Sequence, residues 1–328
     1  MTTQSDRHFQ IHGAGVAGLA IANELVSRGA NVSIYDPNGQ PSEHCCSWWA
    51  GGMLAPFCEG ESAEEPVIRL GQKAALWWQN QGVEVTKNGS LVVALARDKT
   101  ELSRFARRTE HHQVVDESAI TSLEPDLAGR VRYGLFFETE AHLSPRVALA
   151  ILTRNLNKKN ITITAKAAPQ TTNFTIIDCR GLSARDALHD LRGVKGEMLV
   201  LHSPDITLSR PIRMLHPRHP LYIVPRGEGI FMLGATQIES SDRNRASVRS
   251  VLELLSAAFA LHPAFGEAEI LEIGVDARPA FPDNLPRIRH FENKIYANGL
   301  FRHGFLLAPA LAEMTADYCL NGIKPELM

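Results

Sequence analysis

"HFQIHGAGVAGLAIANELVSRGANVSIYD" (residues 8–36) decides the fold. Phe9 and Ile11 alternate as in a strand, and Val16, Leu19, Ala20 and Leu25 recur at helical spacing. Gly29 stands where a helix C-cap belongs, and "NVSIYD" reads as a second strand. The stretch is therefore a complete βαβ unit.

Inside it, "GAGVAG" places Gly13, Gly15 and Gly18 between the first strand and the helix. Gly13 permits a tight turn, Gly15 lets backbone approach a pyrophosphate, and Gly18 lets helix and strand pack closely. Val16 and Ala17 open the helix, whose N-terminal N–H groups and partial positive charge suit a diphosphate. Asp36 ends the second strand, where a carboxylate accepts hydrogen bonds from an adenosine ribose. Strand, glycines, helix, strand and acid together indicate dinucleotide binding.

Downstream, a helix is expected from Glu64 to Trp78, a strand over Ser90–Ala96, and a helix capped by Asp98. A second αβ pattern runs from "SPRVALAILTRNL" through "FTIIDC" to Gly181. From Gly193 to Val275 alternating strands dominate, with one helix in "SVRSVLELLSAAFAL". The chain closes with strand, glycine turn and helix in "KIYANGLFRHGFLLAPALAEMTADYCL". Three separated glycine turns fit one long ligand and favour FAD over NAD. We expect an α/β protein with a Rossmann-like FAD-binding domain over residues 1–85, 141–192 and 276–328. A second, α+β substrate domain on a largely antiparallel sheet takes residues 86–140 and 193–275.

The 328 residues, 44% hydrophobic and 21% charged with a formal net charge of −2, argue against nucleic-acid binding through a basic face. The polar start, "MTTQSDRHFQ", does not read as a signal peptide, and no membrane span is expected. Five cysteines form no disulfide framework, which points to a reducing cytoplasm. "HCCSWWAGGMLAPFCE" (residues 44–59) raises a metal site, but adjacent Cys45 and Cys46 diverge and Cys58 lacks a partner pair. His111, His112, His216 and His219 read as solvated or turn residues, so no metal is expected.

Longer motifs carry a resemblance: "AGGMLAP", "EPDL", "LYIVPR", "LGAT", "ARPAFPDNLP" and "NGLFRHGFLLAPA". With the dinucleotide stretch they span residues 11 to about 312, and the chain resembles the D-amino-acid oxidase superfamily of flavoproteins. Within it, the glycine oxidases of bacterial thiamine biosynthesis are the nearest pattern. The resemblance implies that Arg278 and Tyr222 hold a substrate carboxylate, which suits a bidentate guanidinium and a directional phenol. It places Arg302, Met53, Ala55 and Gln237 near the substrate, the amide of Gln237 standing where relatives often carry methionine. Ser47 is expected on the diphosphate, Gly51, Gly52 and Met53 along the flavin, and Leu54 in the same apolar wall. Gly181 belongs to the second glycine turn. Backbone from Arg302 through His303, Gly304, Phe305 and Leu306 to Leu307 is expected beneath the pyrimidine end of the ring.

The implied reaction oxidises the Cα–N bond of a small amino acid, glycine foremost, with dioxygen as acceptor and hydrogen peroxide released. The imine goes to glyoxylate and ammonia, or to thiazole formation through a partner enzyme. No side-chain acid–base pair is expected, and relatives of this kind tend to associate as homo-oligomers. The alternatives are oxidation of sarcosine or a D-amino acid, or a flavin-binding assembly protein without turnover. Glu59 has no assigned role.

Overall fold

The computed structural model describes residues 8–169, 174–216 and 220–328, so His219 lies outside the described residues. The βαβ unit forms as its pattern dictates. Strand His8–His12 pairs in parallel with Asn31–Tyr35, and helix Val16–Ser27 crosses between them. Phe9 and Ile11 are buried along with Gln10, because a central parallel strand is covered on both faces. Gly29 takes φ of +83°, the left-handed geometry that ends the helix.

Around this unit a six-stranded sheet forms in the order 287–291, 294–298, 175–178, 8–12, 31–35, 163–164. Helices Pro145–Asn157 and Gly304–Asn321 pack on Val16–Ser27. Leu19, Leu25, Leu149, Leu152, Leu307 and Leu311 share their core. The strand that returns near "TIIDC" is the parallel neighbour of the first one.

A nine-stranded sheet makes the second layer, and only Ser90–Ala94 against Ile212–Leu215 pairs in parallel among its described strands. Its longest pair is Arg192–His202 with Glu269–Ala280, antiparallel from Arg192↔Ala280 to His202↔Glu269. Helix Val248–Leu261 covers one face through Leu254, Ala258 and Leu261. A mixed α/β architecture with one Rossmann-like sheet and one largely antiparallel sheet is what the sequence pattern indicated.

Two local expectations are corrected. The helix expected from Glu64 to Trp78 is two, Glu65–Gly71 and Ala74–Asn80. The break follows Gly71, where a Cβ would lie 2.8 Å from the Leu306 side chain of the terminal helix, so tertiary packing steers the chain there. Asp98 precedes helix Lys99–Arg108 without capping it by its side chain. Capping of that kind falls to Asp116, which accepts from Ala119 N–H at 2.9 Å, and to Ser247, which accepts from Ser250 N–H at 3.1 Å. Asp116 heads helix Glu117–Leu123, a short helix without a clear apolar repeat in the sequence.

Candidate active site

One cavity of about 860 Å³ runs from the first glycine turn to the second sheet. Its two ends are built differently.

At the first end the wall is backbone. Gly13 has φ of +98°, and a Cβ there would lie 2.6 Å from the carbonyl oxygen of Cys179. At Gly18 a Cβ would lie 2.0 Å from the Gly13 oxygen, so this glycine serves helix–strand contact and does not line the cavity. Gly15 is open by comparison: a Cβ there would meet only Ser47 Oγ, at 3.4 Å. Val16 N–H donates to Ser47 Oγ at 3.0 Å, which leaves the Ser47 hydroxyl proton to donate elsewhere. Asp36 lines the same end and accepts from Ala14 N–H and Asn38 N–H, both at 2.9 Å. Val16 and Ala17 also face the cavity.

The terminal helix brings a second N-terminus to this wall. A Cβ on Gly304 would sit 3.5 Å from Val16 Cγ1, so the two helix starts abut and their positive ends face one space. His303, Gly304, Phe305 and Leu306 line the cavity, as does Gly181. Leu307 is a correction: it is buried in the core, and its N–H is spent on the His303 carbonyl at 2.8 Å. Leu54 is another. Strand alternation opposite Ala141 turns it into the core, while Met53 and Ala55 face the cavity.

At the far end the wall is side chain. Arg278 and Tyr222 come together there with Gly51, Gly196 and Gly234 around them. A Cβ on Gly196, two strand positions from the Val194 that pairs with Arg278, would lie 2.2 Å from the guanidinium. A Cβ on Gly234 would lie 2.5 Å from the Tyr222 ring, and one on Gly51 3.0 Å from it. Three glycines thus make room for the two groups. Arg278 donates to the Thr236 carbonyl at 3.2 Å, and no carboxylate pairs with it among the described residues. Burial pulls its guanidinium below the ordinary arginine value, and burial pushes the Tyr222 phenol up. Gln237 stands exposed at the cavity's edge.

Glu59 now has surroundings. It is buried, with Arg213 Nη2 at 2.8 Å from Oε1 and Arg302 Nη2 at 2.7 Å from Oε2. His303 Nδ1 lies 3.5 Å from the same Oε2. Burial pushes the Glu59 acid up, but the Arg302 and Arg213 guanidinium groups outweigh it and hold the carboxyl well below its usual range. Burial lowers His303 to about 4, so it is neutral at pH 7. Arg302 therefore lines the cavity as an ion-paired group, and it also donates to Ser62 Oγ at 2.8 Å.

Arg213 and Arg226 escaped the sequence reading. Arg226 donates to the carbonyls of Gly51 at 2.7 Å and Leu143 at 3.1 Å, which holds the Gly51–Gly52 loop in place. Burial lowers this guanidinium to about 10. The signal available was its place in "LYIVPR", directly after a buried strand. Trp48 and Trp49 do pack: the Arg146 guanidinium lies over their rings at 4.6 and 5.3 Å. No group of three or more His, Cys, Asp or Glu side chains gathers for a metal among the described residues, and Cys45, Cys46, Cys58 and Cys179 form no disulfide.

The glycine turn, the carboxylate of Asp36 at the end of the second strand and the paired helix N-termini define a dinucleotide-binding protein, and an open Gly15 with a long cavity beyond it fits FAD. The chain belongs to the FAD-dependent oxidoreductase family, whose model matches residues 10–318. It is 50% identical over 314 residues to a Rhizobium etli protein named for thiamine biosynthesis as oxidoreductase ThiO, covering 95% of this chain and 96% of that one. It is 31% identical over 358 residues to the glycine oxidase of Bacillus subtilis, covering 96% and 94% of the two chains. The crystal structure of glycine oxidase from Geobacillus kaustophilus superposes with a TM-score of 0.80 at 22% identity, covering 98% of this chain and 97% of the other. The protein is an FAD-dependent oxidoreductase with an amino-acid oxidase fold.

Proposed function

We propose that this protein is a glycine oxidase that serves thiamine biosynthesis. The observation that carries the reading is Arg278: a buried guanidinium without a carboxylate partner among the described residues, beside a phenol, at one end of the FAD cavity. An unpaired buried charge is costly, and an incoming carboxylate offsets that cost. The relatives named for glycine oxidation and for thiamine biosynthesis support the choice of substrate.

FAD, when bound, supplies the hydride acceptor and, on reoxidation by dioxygen, the source of hydrogen peroxide. Gly15, Ser47 and Asp36 would hold its diphosphate and ribose, while Gly51, Gly52 and the backbone at His303–Leu306 would border its ring. Arg278 and Tyr222 bind the carboxylate and orient the substrate Cα. Met53 and Ala55 exclude water, and Gln237 contacts the substrate's open side. His303 stands neutral beside Glu59 at this wall. Positioning supplies most of the effect. The work divides between residues 1–85, 141–192 and 276–328 for FAD and residues 86–140 and 193–275 for substrate. The six-stranded sheet supports the first set of segments and most of the nine-stranded sheet the second, but strand Glu269–Ala280 crosses the boundary and carries Arg278 into the second sheet.

The imine product goes to glyoxylate and ammonia or to a thiazole-forming partner. Cys45, Cys46, Cys58 and Cys179, which form no disulfide, support a cytoplasmic setting; no helix among the described residues is long and apolar enough to cross a membrane. Homo-oligomer formation belongs to the same reading. Anaerobic mixing with glycine tests it: the flavin bleaches, and steady-state rates favour glycine over sarcosine and D-alanine. An unchanged flavin spectrum rejects the reading.

A further inference from the structure

Three guanidinium groups face the substrate end of the cavity, Arg213, Arg278 and Arg302; Glu59 pairs with two of them, while Asp276, whose charge also reaches Arg278, pairs with Arg243. They act on one another at this end. The phenol of Tyr222 feels the charges of Arg278, Arg213 and Arg302, and the Arg278 guanidinium feels that of Arg302. Glu59 divides its two oxygens, one to Arg213 and one to Arg302, and leaves Arg278 to the substrate. Glu61, which also lines the cavity, pairs instead with Arg108 at 3.2 Å.

A carboxylate held by two guanidinium groups in a buried wall is what a second carboxylate of a substrate would need there. Glu59 already fills that position with the protein's own charge. An amine carrying two carboxylates would set one on Arg278 and find no free guanidinium pair for the other, because Arg213 donates to Glu59 and to the Cys58 carbonyl while Arg302 faces Glu59 and donates to Ser62. A substrate with one carboxylate needs no second pair. We propose that Glu59 determines specificity by occupying the Arg213–Arg302 pair as a built-in carboxylate, which restricts the pocket to amines bearing a single carboxylate. The inference rests on Arg278 as the holder of the substrate carboxylate.

Two unreactive probes test it on the FAD-loaded enzyme by titrating the flavin absorbance. Methoxyacetate carries one carboxylate, and diglycolate carries two at the spacing of an amine with two carboxymethyl arms. The wild type binds methoxyacetate and excludes diglycolate. In Glu59→Ala the ratio of diglycolate to methoxyacetate affinity rises about tenfold or more, as expected when a carboxylate gains a vacated guanidinium pair. Glu59→Asp, which keeps the charge, restores the exclusion.

An unchanged ratio in FAD-loaded Glu59→Ala overturns the proposal. So does a wild type that binds diglycolate as tightly as methoxyacetate, a result that needs no variant to fold. Methoxyacetate binding that survives Arg278→Ala overturns the carboxylate reading itself, and the inference falls with it.

Discussion

The two ends of the cavity hold charge by different means. At the glycine turn the positive character comes from backbone: two helix N-termini and an open Gly15, with Asp36 nearby. At the far end it comes from guanidinium groups on strands that are distant in sequence, Arg213 on Ile212–Leu215 and Arg278 on Glu269–Ala280. A backbone site needs small residues and a local turn. A side-chain site needs its neighbours to stay small as well, which explains the glycines around Arg278 and Tyr222. Glycine thus serves both ends, once to admit a ligand and once to admit a side chain.

The sharpest way to break this contrast is Arg278→Ala. Loss of a buried charge partner for the carboxylate should lower kcat/KM for glycine by a factor on the order of 10²–10³, with FAD content unchanged. Steady-state kinetics beside a flavin spectrum checks it, and normal glycine saturation rejects the assignment. Gly196→Ala should act on the same end without touching a charge. Its Cβ forces the guanidinium aside, and kcat/KM should fall by about 10- to 100-fold at full FAD occupancy. Kinetics indistinguishable from wild type would show that Arg278 has room to spare.

Gly15→Ala addresses the other end. Its φ of −71° suits alanine and its Cβ meets little protein, so the apoprotein melts near the wild-type temperature. FAD affinity should nevertheless drop by about tenfold, measured by flavin release on dilution. Equal flavin retention would remove the diphosphate from this turn.

An effect of a different kind, on stability alone, concerns Glu140, buried behind the pocket wall and accepting from Cys58 N–H at 2.7 Å. Burial raises its acid to about 7. Its folded-state value is above that of the unfolded chain, so the folded protein holds the extra proton, and stability is lost as pH rises from about 4.5 to 7. Glu140→Gln keeps the acceptor and removes the charge. It should flatten that pH slope and stabilise the protein at pH 8 by roughly 2 kcal/mol. Parallel melting curves of the two proteins across pH would contradict this.

How much was legible differs between the ends for the same reason. Gly13, Gly15, Gly18 and Asp36 lie within one βαβ unit, and every one of them falls where the pattern implies. Arg278 and Tyr222 were approached through a family resemblance, and the structure brings both to one wall. Arg213 gave no local signal and Arg226 only its place after a buried strand, because a single arginine in or after a strand looks the same whether it faces solvent or buried acceptors. Leu54 and Leu307 were misplaced by one strand step and by one helical turn, the scale on which side-chain direction outruns a linear motif.

Glu59 shows the division most plainly. In the sequence it closes "HCCSWWAGGMLAPFCE" as an unexplained acid, and no spacing rule links it to Arg213 or Arg302. Those partners arrive from a strand of the second sheet and from the turn before the last helix. The sequence alone determined the βαβ unit, the dinucleotide turn and the two kinds of sheet, because hydrophobic period and glycine geometry are local properties. Only the tertiary structure decided which charges meet, because an ion pair between distant segments depends on strand register and packing that no short stretch contains.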